Sequence, residues 1–233
     1  MAADPVPFPC RVVRHRGARR LTLRVSRAGA RLTVPPRTSA REIEAFLRDS
    51  TGWVADQRAR LGPPPAPLAE GDRLALLDDE LELALAPAGR RTTVRRDGRL
   101  LMASLGPGAG LDAAVERWYR REAAAVLGAR SRALAARLGV EVSAVTVRDP
   151  RSRWGSCSSS GRLSFSWRLL LAPAPVLDGV VAHEVCHLVR PDHSPAFWEL
   201  MGRVAPGHRA SRAWLREHGE RLHLGAAWRS LVP

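Results

Sequence analysis

A chain of 233 residues, 45% of them hydrophobic, is long enough for one large or two small domains with real cores. No stretch approaches about eighteen uninterrupted apolar residues, so the sequence excludes a membrane-spanning helix. The formal net charge is +14, yet all 37 basic residues are arginine and lysine is absent, the mark of a GC-rich coding bias. Charge alone therefore does not identify a nucleic-acid partner.

The first residues carry Asp4 and three prolines by position 9, with no apolar signal core, and this predicts a cytoplasmic protein. Cys10, Cys157 and Cys186 are an odd, sparse set that suits a reducing compartment better than a disulfide scaffold. Arg11 to Arg37 holds nine arginines and no acid. On a hairpin several of these would share one face. That face either meets phosphates, with Arg14, Arg16, Arg19 and Arg20 as candidate nucleic-acid contacts, or is simply solvated. Cut at position 110, the chain divides its charge evenly: 19 arginines against 12 acids before the cut, 18 against 11 after it.

Leu21–Val25 and Leu32–Val34 alternate around Ala28-Gly29 and predict a β-hairpin. Ser39-Ala-Arg-Glu42 is a capping box opening an amphipathic helix that reaches about Leu61. The prolines of 63–67 stop it and form a stiff spacer. Two further hairpins follow, the second (Thr93–Ala103) turning at Asp97-Gly98. The glycines of 106–110 mark the best boundary, giving a β-hairpin-rich N-terminal region over 1–105 and a second domain over 111–233. Asp112 is positioned to cap a long helix to about Leu138, ended by Gly139. Val145–Val147 and Leu163–Leu171 read as strands on either side of a Ser-rich loop. Ser194-Pro195 opens another helix, and a last one runs near Ala210–His218. The fold class is α+β.

His183-Glu184-Val185-Cys186-His187, followed by His193, carries the chemistry. Residues four apart share a helix face, so His183 and His187 can present imidazoles to one ion. Glu184 projects about 100° away from His183 and reaches a water at the metal instead of the metal itself. Pro191 turns the chain back so that His193 can supply a third ligand. Three protein ligands with an open position describe a catalytic zinc. The preceding turns, with Val176, Leu177, Val180 and Val181, are apolar, and burying two histidines and a glutamate there without a partner is expensive. One zinc ion per chain follows.

Other residues take milder readings. Cys186 reads as a small buried hydrophobe and Cys157 as structural. The serines of 156–160 lack the Gly-x-Ser-x-Gly elbow of a nucleophile. His208, His218 and His223 read as surface or helix-end residues, and Trp198 and Trp214 as core anchors. Arg151 and Arg153 are candidates for contacting a substrate carboxylate or a phosphate.

Asp149-Pro-Arg-Ser-Arg-Trp-Gly-Ser-Cys157, Trp167-Arg-Leu-Leu170, the His183–His187 motif and His193-Ser-Pro-Ala-Phe-Trp198 together resemble the YgjP-like zinc metallopeptidases, relatives of the SprT-like proteases with a small gluzincin-type core. The resemblance covers most of 8–220, with its strongest signal over 145–220. It implies a zincin-like C-terminal domain of long helix, short sheet, metal helix and terminal helices. It also implies a peptide or protein substrate, His183, His187 and His193 as ligands, and Glu184 as base. Ser166 stands where the family usually has asparagine, a departure that bears on a substrate-edge contact; Gly207-His208 replaces an acidic-aromatic pair.

Metal-assisted amide hydrolysis is thus the leading expectation. A zinc-dependent phosphoanhydride hydrolase is the alternative, although a Gly-rich phosphate loop and a carboxylate-rich magnesium site are missing. A non-catalytic nucleic-acid-associated zinc protein is a third, against which three ligands beside a free glutamate argue. No membrane partner is expected.

Overall fold

The computed structural model describes residues 8–26, 29–61, 66–150 and 153–224. The chain forms two compact units, 1–64 and 65–233. Among the described residues, no helix is long and apolar enough to cross a membrane.

In the first unit the expected hairpin is β2 (Thr22–Ser26) and β3 (Gly29–Val34), paired antiparallel from Ser26–Gly29 to Thr22–Thr33. A strand not anticipated, β1 (Cys10–Arg14), adds in parallel to the other side of β3, giving the order β1-β3-β2. Its adjacent Val12 and Val13 break the alternation that marks a strand in sequence. Ala30, Leu32 and Val34 pack with Phe8, Leu47 and Val54 as the core of this unit.

The capping box is present: the Glu42 N–H donates to Ser39 Oγ at 3.2 Å, and the Ser39 N–H to Glu42 Oε2 at 2.7 Å. The helix it opens is two helices, α1 (Ala40–Asp49) and α2 (Thr51–Leu61). Ser50 Oγ donates back to the Phe46 carbonyl at 2.7 Å and Thr51 Oγ1 to that of Arg48 at 2.8 Å. Such back-bonding competes with the helical ladder and bends it, which accounts for the break between the two helices. Most of the predicted proline spacer, residues 63–65, lies outside the described residues.

The second unit opens with β4 (Arg73–Leu76), β5 (Asp79–Leu85), β6 (Thr93–Asp97) and β7 (Leu100–Ser104), ordered β4-β5-β7-β6. Both predicted hairpins are there, and Gly98 takes the positive φ of +59° that its turn requires. Helix α3 (Leu111–Arg137) has Gly110, not Asp112, as N-cap; the Asp112 carboxylate instead accepts from the Leu68 N–H at 3.2 Å. Gly139, at φ +68°, ends it, and Val140 N–H returns to the Ala135 carbonyl.

A second sheet, β8-β10-β9, comprises β8 (Ala144–Arg148), β9 (Gly155–Cys157) and β10 (Arg162–Ser166). Strand β9 forms within the Ser-rich segment and pairs antiparallel with β10 at the sheet edge. The predicted strand 163–171 stops at Ser166, because Trp167–Leu171 winds into a 3-10 turn whose first free amide, that of Arg168, donates to Ser166 Oγ. Then come α4 (Ala174–Cys186), α5 (Pro195–Val204) and α6 (His208–His218).

The glycines of 106–110, the expected boundary, fall inside this unit. Buried Leu81, Leu83 and Leu101 share one core with Trp118, Tyr119 and Leu127 of α3 and with Leu169 and Leu170. Tyr119 Oη donates to the Ala75 carbonyl at 2.6 Å, and the Leu77 N–H to that of Leu170 at 2.7 Å. These bonds tie the first sheet to the later elements, so the glycine run is a connection from β7 to α3.

Candidate metal centre

Helix α4 ends at Cys186, with His187 as its C-cap. The 188–190 turn that follows lets the Arg190 N–H close on the Cys186 carbonyl at 2.9 Å. Pro191 then leads the chain to His193, immediately before α5. The result is convergence. His183 Nε2 lies 3.2 Å from His187 Nε2 and 3.1 Å from His193 Nε2, and one nitrogen from each ring lies within 4.8 Å of the others.

Two further observations prepare these rings for a cation. His187 Nδ1 lies 3.1 Å from the Arg190 carbonyl, which can only accept, so Nδ1 carries the proton and Nε2 faces the cluster as a lone pair. Burial, reinforced by the neighbouring histidines, Arg212 and His208, lowers the His183 pKa to about 4, which leaves its imidazole neutral at neutral pH. Three ring nitrogens, one from each histidine, thus converge on one point. The donor set fits zinc: ligands at about 2.0–2.1 Å in a tetrahedron stand about 3.3 Å apart, close to the 3.2 and 3.1 Å between these nitrogens.

Phe197 of α5 is fully buried and packs against all three rings, at centroid distances of 5.1, 4.6 and 5.0 Å from His183, His187 and His193. It fixes their orientations from beneath. Trp198, next in sequence, stacks on His193 at 5.7 Å and on His208 at 5.7 Å, with the Arg212 guanidinium 5.3 Å from a Trp198 ring centre.

Glu184 is buried and lies against β9. A Cβ built on Gly155 would stand 2.6 Å from its Cγ and Oε1, so only glycine leaves room for this carboxylate. Burial raises the Glu184 pKa to about 7, and the Arg153 guanidinium opposes part of that rise. The group can therefore exchange a proton near neutrality.

Two adjoining depressions, of about 940 and 590 Å³, share His183, Glu184, His193, Arg153 and Gly155. The larger runs along β9 past Cys157 and Glu141; the smaller is bounded by Trp198, His208 and Arg212. Arg153 is thus beside the cluster, whereas Arg151 lies outside the described residues. Ser166 is buried and serves as the cap of the 3-10 turn; it lines neither depression.

Sequence reasoning missed three contributors. His208 stands at a helix end, one of the two positions expected of it, but it is buried there and lines the smaller depression. Gly155 stood only within the family-like run 149–157; its role depends on a strand pairing across the Ser-rich segment. Cys157 lines the larger depression, half-buried, with its thiol pKa raised by burial and by Glu184. Cys186 is buried among Ala182, Phe197 and Met201, the apolar role expected of it.

The crystal structure of the metallopeptidase zymogen of Pyrococcus abyssi abylysin is similar over 40% of this chain and 93% of its own, at 21% identity and a TM-score of 0.35. No curated protein matches the chain. The sequence pattern of the YgjP-like metallopeptidase domain matches residues 19–218, taking in the histidine cluster, Glu184 and both depressions. The chain belongs to the YgjP-like metallopeptidase family.

Proposed function

We propose that this protein is a zinc peptidase of the HExxH type, with His183, His187 and His193 holding one zinc ion and Glu184 acting as general base. The single observation that carries the reading is the convergence of three imidazole nitrogens beside the buried Glu184 carboxylate. Zinc bound there supplies Lewis acidity toward the scissile carbonyl and the attacking water. Glu184 takes the proton from that water, and its pKa near 7 makes it an effective acceptor that can later give the proton to the leaving amine. Gly155 keeps the carboxylate in place against β9. Phe197 holds the imidazoles, so little reorganisation accompanies metal binding.

Both depressions open onto the cluster, leaving room for substrate on either side of the scissile bond. Arg153 borders both and is the candidate contact for a substrate carbonyl or carboxylate. A peptide or protein is the substrate class this arrangement suits.

Metal content tests the reading directly. The purified chain is expected to hold one zinc ion per molecule, and His183→Ala and His193→Ala each to lose most of it. Chelator should abolish peptide hydrolysis and added zinc restore it. Full zinc retention by His193→Ala would remove that residue as a ligand.

A further inference from the structure

The boundary at 64/65 redistributes the charge. Residues 1–64 hold 13 arginines against five acids, a net of +8 in 64 residues, whereas 65–233 holds 24 against 18, a net of +6 in 169. A coding bias acts on both units alike and does not explain why one holds both more arginines and fewer acids per residue. Between Asp4 and Glu42 there is no acidic residue at all.

Strand register arranges this excess. Arg31 of β3 pairs with Arg11 of β1 on one side and with Arg24 of β2 on the other. The three therefore form a row straight across the sheet, all exposed, on the face opposite Leu32 and Val34. Neighbouring strands stand about 4.8 Å apart, so the row spans about 10 Å. Like charges placed directly opposite in a sheet are destabilising. None of the ion pairs among the described residues relieves these three. The rest of that face is Thr22, Ser26, Gly29, Thr33 and a half-buried Val13. Arg16, Arg19 and Arg20 are exposed in the connection from β1 to β2 at one end of the sheet. Arg14 is different. Its guanidinium donates to the carbonyls of Pro36 and Thr38 at 2.9 and 2.8 Å and belongs to the scaffold.

We propose that the arginine row Arg11–Arg31–Arg24 is a docking surface for the phosphate backbone of a nucleic acid, read without regard to base sequence. A row of about 10 Å matches the rise of three nucleotides along one strand. Guanidinium forks bind phosphate oxygens bidentately, and phosphates relieve the repulsion that the register imposes. The face offers no exposed aromatic ring for base stacking and no apolar anchor for a lipid surface, so backbone charge is what it can recognise.

The test uses the full chain and a mixed-sequence 30-base-pair DNA duplex, followed by anisotropy across a salt series. Binding should fall linearly in a log–log salt plot. The triple change Arg11→Gln, Arg24→Gln, Arg31→Gln should flatten the slope by about two to three units, since each lost phosphate contact removes about 0.9. The same positions changed to lysine should keep the slope, which separates lost charge from a damaged fold. Changing Arg90, Arg91 and Arg99 of the second unit to glutamine removes equal charge and should leave the slope unaltered. Zinc content should be the same in every variant. Equal loss in the two glutamine triples would overturn the proposal by assigning binding to overall charge. So would the absence of duplex binding at about 50 mM salt, or tighter row-dependent binding to anionic phosphatidylserine vesicles than to the duplex.

Discussion

The two units use arginine in opposite ways. In 65–233 several arginines are answered by carboxylates: Arg73 by Glu80, Arg96 by Asp79, Arg120 by Glu116, Arg130 by Asp178, Arg168 by Asp149 and Arg203 by Glu199. In 1–64 no ion pair occurs among the described residues, and the arginines of the sheet stand beside one another. The same residue is thus a structural partner where acids accompany it and an uncompensated field where they do not. Net charge for the whole chain conceals this, and so does a division at the wrong boundary.

The metal-bearing unit should be sensitive to single atoms, the basic unit to summed charge, and variants in each can break that contrast. Gly155→Ala should strongly lower the rate. Its new methyl meets Glu184, whose carboxylate must swing away, and a displacement of about 1 Å at a catalytic group costs up to about 10²-fold in rate. Zinc content should be unchanged. Gly202→Ala, an exposed helical position with open space around it, should leave the rate alone and stabilise by about 0.5–1 kcal/mol.

Arg168→Ala should have a smaller effect, on stability. Arg168 donates to both Asp149 oxygens, at 2.7 and 3.0 Å, and to the Leu222 carbonyl at 2.9 Å, holding the end of β8 to the last described turn. The pair is about one-third exposed, so the loss should be about 1–2 kcal/mol in denaturant unfolding. No change would place it with ordinary surface pairs. Ser39→Ala, in the basic unit, removes one half of the capping box and should cost about 1 kcal/mol. Faster hydrogen exchange should be confined to the start of α1; spread across β1–β3 would mean that helix and sheet melt together.

What the sequence disclosed followed from local chemistry. The capping box, the Asp97-Gly98 turn, the end of α3 at Gly139 and the spacing of His183, Glu184, His187 and His193 are each written within about ten residues. Longer-range features were not legible. Strand β1 is defined by its parallel partner, and β9 by pairing across a polar segment. Asp112 was expected at a cap but is drawn to the Leu68 amide 44 residues away. His208 reads as a helix-end residue until α6 is packed on α4, where it joins Trp198 beside the metal cluster. The split at Ser50 was locally encoded, but hydroxyl back-bonding leaves no trace in hydrophobic periodicity.

The most direct test of the catalytic account is peptide hydrolysis by Glu184→Gln at matched zinc content. The amide preserves the shape of the side chain and cannot accept the proton. Zinc should stay bound while turnover falls by about 10²-fold or more. Undiminished turnover in the fully metal-loaded variant would contradict it.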